Sequence, residues 1–303
     1  MLRIETRRKL DDNEFEAVGR LLADTEAHDG FPPLSDHLLL ELEHRGPEFA
    51  AVVAFDPNDQ LAAYVQLARA NDSTAIELVI APEQRAQTDD LAPQLLRSAF
   101  DVVAAEGGGR VYWWVHHPDD RVDAVATGVG LRLSRRLLQM RRPLPIAETT
   151  TVETRPFVVG QDEAEWVRVN NAAFHDHPEQ GGWTVETLRQ REAEAWFDPA
   201  GFVLHARDGK LAAFCWTKVH ADTTPPMGEI YVIAVDPVFH GHGLGKALTI
   251  AGLQNLADRG LTVGMLHVDA ANTAAMAVYE RLGFTVHHED HAYVADITRS
   301  GHS

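Results

Sequence analysis

The sequence has a single cysteine and no long apolar run, and each shortage excludes a class of protein. Among its 303 residues only Cys215 carries a thiol, so no disulfide can form within the chain and a cytoplasmic, reducing compartment is expected. No apolar stretch approaches the roughly 18 residues of a membrane-spanning helix. The first residues, MLRIETRRKLDDNEF, are charged and lack the apolar segment of a secretory signal.

Basic residues are also scarce. The chain has 27 Lys and Arg against 45 Asp and Glu, a formal net charge of −18. A nucleic-acid backbone would be repelled by most of such a surface, so no nucleic-acid partner is expected. The histidine-rich run 287–291 does not predict a metal site, because neighbouring residues on a strand point to opposite faces.

A pattern of strands and helices occurs twice, at a spacing of about 150 residues, which is too long for a solenoid and indicates domain duplication. Each half has two alternating apolar runs around an Asp-containing turn, typical of a β-hairpin. An apolar strand ending at proline, a helix, a second apolar strand, a helix ending at glycine and a final strand follow. A proline-containing break at 141–157 separates the halves, so we predict domains at 1–145 and 152–303.

The segment IYVIAVDPVFHGHGLGKALTIAGL carries the most specific signal. Its strand stops at Pro237, a loop with three glycines in five positions follows, and an apolar helical stripe begins at Leu244. Glycines let backbone N–H groups approach an anion, and the helix N-terminus adds positive potential, so the loop suits a pyrophosphate. A plain glycine-rich turn is the alternative, whereas the spacing does not match the dinucleotide-binding G-x-G-x-x-G.

This loop, followed by LHVDAANTAAMAVYERLGF at 266–284, resembles the GNAT acetyltransferase superfamily. The resemblance implies an α+β fold of tandem GNAT domains, each a mixed, mostly antiparallel sheet flanked by helices, with acetyl-CoA as co-substrate. It further implies that backbone groups of Ile233, Ala234 and Val235 pair with the pantetheine arm and polarise the thioester. The remaining cofactor contacts that it implies are His240, Gly241, His242, Gly243, Leu244, Gly245, Lys246, Asn272 and Thr273.

Two further residues are candidates for proton transfer. Glu229 begins the strand that carries the cofactor contacts, and a carboxylate there could take the proton of an ammonium acceptor. Tyr279 lies where the superfamily has the group that protonates the leaving thiolate. A solvated strand-end glutamate and a tyrosine packed in the core are the alternatives.

The first half lacks this set of residues. Aligning the two halves on their prolines places Thr88 and Asp90 at the positions of Gly243 and Gly245, and Thr74 at that of Glu229. Aligning the later glycines places Ala126 at the position of Tyr279. Because added carboxylates would repel a pyrophosphate, we predict that the first half is catalytically degenerate.

The polar segment NNAAFHDHPEQGGWT at 170–184 resembles the mycothiol synthase family of two-domain GNAT enzymes. The resemblance implies a small-molecule acceptor, the cysteinyl amine of a glucosaminyl-inositol, and a monomeric enzyme for the last step of mycothiol biosynthesis. It also implies a second acetyl-CoA position around Leu78, Val79 and Ile80. The acceptor contacts that it implies are Asp36, Glu179, Lys218, Glu229 and His267, the last at a position where the family usually has tyrosine.

Two other functions stay open. The chain could acetylate a protein N-terminus or a different small amine, or it could be a non-catalytic acyl-CoA sensor. A sensor would need the loop glycines but neither Glu229 nor Tyr279.

Overall fold

The computed structural model describes residues 2–44, 49–70, 73–175 and 180–299. The chain divides into two compact units, residues 1–136 with 289–303, and residues 137–288. Of the helices in these described ranges, none combines the length and apolarity that crossing a membrane requires. Within the same ranges, no group of three His, Cys, Asp or Glu side chains could hold a metal ion.

The first unit contains a sheet with helices on both faces. In chain order its elements are β1 (Arg3–Arg7), α1 (Asp12–Asp29), α2 (Asp36–His44), β2 (Ala50–Phe55), β3 (Leu61–Ala70), β4 (Ser73–Ile80), α3 (Thr88–Ala105), β5 (Gly109–His116), α4 (Asp120–Gly128) and the start of β6 (Arg132–Pro143). Strands β1 to β4 pair antiparallel in sequence order, and β4 pairs parallel with β5. Two apolar clusters cover opposite faces, one beneath α3 and the other beneath α1 and α2.

The second unit has a similar order of elements. After the rest of β6 come β7 (Arg155–Pro156), α5 (Glu163–Ala173), α6 (Val185–Glu192), β8 (Phe202–Arg207), β9 (Lys210–His220), β10 (Met227–Val235), α7 (Leu244–Asp258), β11 (Val263–Asp269), α8 (Thr273–Arg281) and the start of β12 (Thr285–Ile297). Strands β7 to β10 pair antiparallel in order, and β10 pairs parallel with β11. The predicted hairpin of β8 and β9 is confirmed, with Asp208 and Gly209 at positive φ in its turn.

Apolar cores cover both faces of the sheet in the second unit. Helix α7 lies on β9 and β10 through buried Leu248, Leu253 and Leu256. The opposite face, against α5, is aromatic: Trp166 lies 5.1 Å from Phe214 and 5.9 Å from Trp216 between ring centroids. Burying each such side chain stabilises the folded protein by about 1.5–3 kcal/mol. Strand β10 is therefore packed against apolar side chains on both of its faces.

The units do not coincide with the continuous ranges 1–145 and 152–303 that the sequence predicts. Residues of β6 from Leu137 onward belong to the second unit, where they pair antiparallel with β11. Residues of β12 from Glu289 onward belong to the first unit, where they pair antiparallel with β5. The apolar pattern of a strand does not specify its neighbour, so the sequence predicted both strands without their pairing.

Candidate active site

Strand β10 has a bulge where the resemblance places the cofactor arm. Its register with β9 shifts between Ile230 and Val232. On the other side, its pairing with β11 runs from Met227 to Ile230 and stops there among the described residues. Ile233, Ala234 and Val235 therefore pair with β9 alone, which leaves their other backbone edge available to a ligand.

The end of this strand is fixed by an ion pair. Asp236 is 4% exposed and accepts from Arg168 Nη1 at 2.8 Å and from the Val238 amide at 3.0 Å. Burial opposes ionisation, but the amide and the guanidinium hold the pKa of Asp236 below its usual range. The loop that follows β10 thus starts from a defined position.

Two glycines of the loop lie in the left-handed region of backbone conformation. Gly241 and Gly243 have φ of 80° and 73°, a region that side chains disfavour. Gly243 is the N-cap of α7, so the first amides of the helix are presented at the loop. A Cβ built on Gly245 would meet nothing nearer than Val235 Cγ2 at 4.0 Å, so the protein leaves space beside it.

A cavity of about 450 Å³ lies at this helix end. Gly243, Lys246, Ala247 and Ile250 line one side, and residues 148–152 line the other. Exposed Lys246 adds a positive charge to the positive end of α7. The bulged strand, the glycine backbone and the cavity together fit a long cofactor with a pyrophosphate.

Glu229 is not the solvated strand-end residue of the alternative interpretation, because it is only 7% exposed. His220 Nε2 lies 2.8 Å from its Oε2, and His267 Nδ1 lies 3.1 Å from its Oε1. Burial opposes ionisation, but these two imidazoles hold the pKa of Glu229 well below its usual range. The carboxylate is therefore ionised at neutral pH.

The hydrogen-bonded chain continues onto β6. Gln139 is opposite His267 in the β6–β11 register, and its Nε2 lies 3.3 Å from His267 Nε2. Arg141 Nε donates to Gln139 Oε1 at 2.7 Å. The sequence alone did not indicate His220, Gln139 or Arg141 as site residues. A polar Gln139 within the apolar run LLQM was the one available signal.

Lys218 is the cross-strand partner of Glu229 in the β9–β10 register. It is 7% exposed, and its Nζ lies 5.0 Å from the Trp196 ring centroid and 5.8 Å from that of Tyr231. Aromatic faces stabilise a cation and restrict its position. The structure thus places a buried cation beside the buried carboxylate.

Tyr279 is 8% exposed in the core cluster that also contains Leu244 and packs against Ile233 and Val235. Its ring makes an edge contact with Phe284 at 5.8 Å between centroids. Burial, with a smaller contribution from Cys215, raises the pKa of Tyr279 to about 12, so its hydroxyl is protonated at neutral pH.

The other predicted residues are spread more widely. Asn272 is the N-cap of α8, accepting from the Ala275 amide at 3.1 Å, and exposed Thr273 begins that helix. Asp36 and the strand segment Leu78, Val79 and Ile80 belong to the first unit. Glu179 lies outside the residues that the structure describes.

The described part of the polar segment 170–184 is held by two asparagines of α5. Asn170 Nδ2 donates to the Gln180 carbonyl at 2.9 Å, and Asn171 bonds both backbone groups of Trp183, at 2.8 and 3.0 Å. Trp183 is 9% exposed and meets Trp166 edge-on. Gln180 and Trp183 are therefore held against α5 and its aromatic core.

The corresponding loop of the first unit has a different structure. A short 3-10 helix, Pro82–Gln87, leads directly into α3, whose first turn carries Asp89 and Asp90. Arg85 is bound to Asp29 through two hydrogen bonds of 2.6 Å. Negative charge at this helix start is unfavourable for a phosphate.

Comparison with known proteins identifies the family. The acetyltransferase (GNAT) family matches residues 166–284. A mycothiol acetyltransferase from Thermobispora bispora is 43% identical over 292 residues, covering 94% of this chain and 96% of that protein. One from Nocardia farcinica is 41% identical over 299 residues, covering 95% and 96%.

This chain belongs to the mycothiol acetyltransferase family. The predicted tandem GNAT fold is confirmed by solved structures. A GCN5-related N-acetyltransferase from Sphaerobacter thermophilus matches with a TM-score of 0.72, at 22% identity over 98% of this chain and 97% of that one. A tandem GNAT protein from the clavulanic acid pathway matches with a TM-score of 0.72, at 15% identity over 99% of this chain and 100% of that one.

Proposed function

We propose that this chain transfers the acetyl group of acetyl-CoA to the cysteinyl amine of a cysteinyl-glucosaminyl-inositol, the last step of mycothiol biosynthesis. Membership of a family whose relatives are mycothiol acetyltransferases supports the acceptor. The observation that carries the reaction is ionised Glu229, buried between two histidines on the strand whose bulged end leads into the glycine loop. We further propose that the enzyme acts as a monomer in the cytoplasm.

Acetyl-CoA supplies a thioester carbonyl, and the backbone of Ile233 to Val235 would hold and polarise it. Amides from His240 to Lys246 would hold the pyrophosphate, with Asn272 and Thr273 at the start of α8 completing the cofactor contacts. The left-handed glycines and the adjacent cavity support this assignment. Leu78 to Ile80 of the first unit are proposed as a second cofactor position, on the family resemblance alone.

Proton transfer involves two side chains. The acceptor amine has a reference pKa of about 8 and is largely an ammonium at neutral pH. Glu229 attracts this ammonium and takes its proton, and the carboxylate, which binds a proton weakly, releases it to solvent as the product leaves. As the new C–N bond forms and the C–S bond breaks, Tyr279 donates a hydrogen bond to the departing sulfur, and the thiolate takes its proton from solvent after release.

The acceptor is held by Lys218, Glu229 and His267, with Asp36 and Glu179 as the further contacts that the family resemblance implies. Lys218 and Glu229 are cross-strand neighbours of opposite charge, a pair suited to an acceptor with both hydroxyl and ammonium groups. His267, where the family usually has tyrosine, contacts Glu229 directly.

The function is tested by incubating the purified protein with acetyl-CoA and one of three acceptors: the cysteinyl-glucosaminyl-inositol, a glucosaminyl-inositol without cysteine, and a peptide with a free N-terminus. Release of CoA and the mass of the product are measured. Turnover on the cysteinyl compound alone is expected. Preferred turnover on the peptide would overturn the acceptor assignment, and tight acetyl-CoA binding without any turnover would indicate a sensor.

Gly243→Ala should raise the KM for acetyl-CoA by about 10-fold, the effect of losing one charge-assisted hydrogen bond. Gly260→Ala is a matched control, because both glycines have positive φ, 73° and 82°, and both have open space where a Cβ would lie. The backbone strain is therefore similar, and only Gly243 lines the cavity. Steady-state kinetics and thermal unfolding of both variants make the comparison, and equal KM values would contradict the cofactor assignment.

Lys218→Met should raise the KM for the acceptor about 10- to 100-fold, because a buried charged hydrogen-bond donor is lost while the aliphatic stem keeps its packing. Lys210→Met, at the exposed start of the same strand, is the control. The KM for acetyl-CoA should not change in either variant. An unchanged acceptor KM in Lys218→Met would remove this residue from the acceptor site.

A further inference from the structure

We propose that Gln139 and Arg141 are positioning residues that hold His267 as its neutral Nδ1–H tautomer beside Glu229. This role rests on the proposed function only for its effect on turnover, because the protonation of His267 can be measured without any substrate.

The first constraint comes from the carboxylate. An ionised carboxylate has no hydrogen to donate, so the ring nitrogen that contacts it must carry one. His267 Nδ1 lies 3.1 Å from Glu229 Oε1, and Nδ1 is therefore the protonated nitrogen. This assignment alone still permits either a neutral ring or an imidazolium.

The second constraint comes from β6. An amide NH₂ group only donates, so the contact of Gln139 Nε2 with His267 Nε2, at 3.3 Å, requires an unprotonated Nε2. The opposite orientation of the amide would permit an imidazolium. Arg141 excludes it, because a guanidinium also only donates and its Nε lies 2.7 Å from Gln139 Oε1.

Strand register fixes all four groups. Gln139 and Arg141 are opposite His267 and Met265 in the antiparallel β6–β11 pair, and Met265 is beside Glu229 in the parallel β10–β11 pair. Residues two apart on one strand share a face, so the side chains of the network lie along one face of the sheet. Their arrangement is set by backbone pairing and does not depend on a flexible loop.

Other charged groups surround this network. Lys218 is the cross-strand neighbour of Glu229, and His220 donates to its second oxygen. On β12, burial lowers the pKa of His287, and the charge of Arg141 lowers it further by a smaller amount. A positive charge on His267 would add to the charge of Lys218 and would offset the negative charge of Glu229. A neutral His267 instead orients the carboxylate and leaves its negative charge to attract the ammonium.

The direct test is the ¹⁵N NMR spectrum of the histidine rings, with the His267 signals identified by their loss in His267→Phe. At pH 7.5 the wild-type ring should show a protonated Nδ1 and an unprotonated Nε2. Gln139→Glu supplies an acceptor to Nε2 and should convert the ring to an imidazolium. Gln139→Met, which is similar in size but has no donor, and Arg141→Met, which lets the amide turn its oxygen toward Nε2, should both populate the imidazolium, to a smaller extent than Gln139→Glu.

Kinetics then show whether the tautomer matters. Gln139→Glu should lower kcat about 10-fold at pH 7, as is usual for residues coupled through one hydrogen-bond network. Activity should recover at higher pH as His267 loses its added proton, and Gln139→Met should show a smaller alkaline shift than Gln139→Glu. A wild-type ring that is an imidazolium or the Nε2–H tautomer would overturn the proposal. If the wild-type ring has the proposed tautomer but Gln139→Glu has an unchanged kcat and pH profile, the tautomer has no role in turnover. This conclusion holds whichever acceptor the enzyme uses.

Discussion

Glu229→Gln is expected to lower kcat by about 10²- to 10⁴-fold, the usual contribution of a general base, while leaving the affinity for acetyl-CoA unchanged. Glutamine keeps the shape of the side chain and can still accept from one histidine, but it cannot take a proton from an ammonium. Because Glu229 is 7% exposed and bonded by His220 and His267, solvent cannot readily replace it as the base.

The pH dependence provides a second readout. His220 and His267 oppose the effect of burial and hold the pKa of Glu229 far below its usual range, so the carboxylate stays ionised as the pH falls through 5. Because Glu229 takes the proton of a bound ammonium, kcat/KM should show no acid limb from Glu229 down to pH 5. Its alkaline limb should follow the acceptor amine and should move when an acceptor of different amine pKa is used. Stopped or continuous CoA-release assays from pH 5 to 9 measure this limb.

The matched control is Glu163→Gln, which removes another buried carboxylate of the same unit. Glu163 is 5% exposed and accepts from the Gly160 amide at the start of α5. Its replacement should lower thermal stability without lowering kcat in the folded protein. If Glu229→Gln retained wild-type kcat, or if Glu163→Gln lost as much, Glu229 would not be the base.

Tyr279→Phe is expected to lower kcat about 10²-fold, at the low end of the range for a general acid. The pKa of Tyr279, raised to about 12 by burial and the nearby Cys215, lies above the reference value of about 8.5 for a thiol. Complete proton transfer to the thiolate is therefore uphill, and the hydroxyl acts mainly as a hydrogen-bond donor to developing charge. Phenylalanine keeps the edge contact with Phe284, so the fold should persist.

A change of leaving group separates this role from packing. An acetyl thioester whose thiol has a lower pKa needs less help, so it should lose less activity in Tyr279→Phe than acetyl-CoA does. Tyr64→Phe, which removes the hydroxyl of a buried tyrosine in the first unit, should leave kcat unchanged. Equal losses for both thioesters would assign Tyr279 a structural role.

Local patterns predicted most of the fold. Turn residues located the hairpins, the apolar stripe from Leu244 located α7, and a glycine marked the end of α8. These features depend on residues within a few positions of one another. Strand pairing does not, and so the placement of β6 beside β11 and of β12 beside β5 was not predicted.

The same distinction applies to the site. The glycine loop, Glu229 and Tyr279 lie in contiguous motifs, and the sequence indicated them. His220, Gln139 and Arg141 reach Glu229 only because three strands are in a particular register. An isolated polar residue in an apolar strand has many possible partners, and only the folded sheet selects one.

The central claim, that the second unit binds acetyl-CoA through β10 and the glycine loop, is tested most directly by amide hydrogen exchange with and without acetyl-CoA. With acetyl-CoA near the wild-type Kd, protection is expected at Ile233 to Val235 and from His240 to Lys246, and it should be clearly weaker in Gly243→Ala but retained in Gly260→Ala. Unchanged exchange across 233–246, with protection confined to 78–90 of the first unit, would contradict the claim.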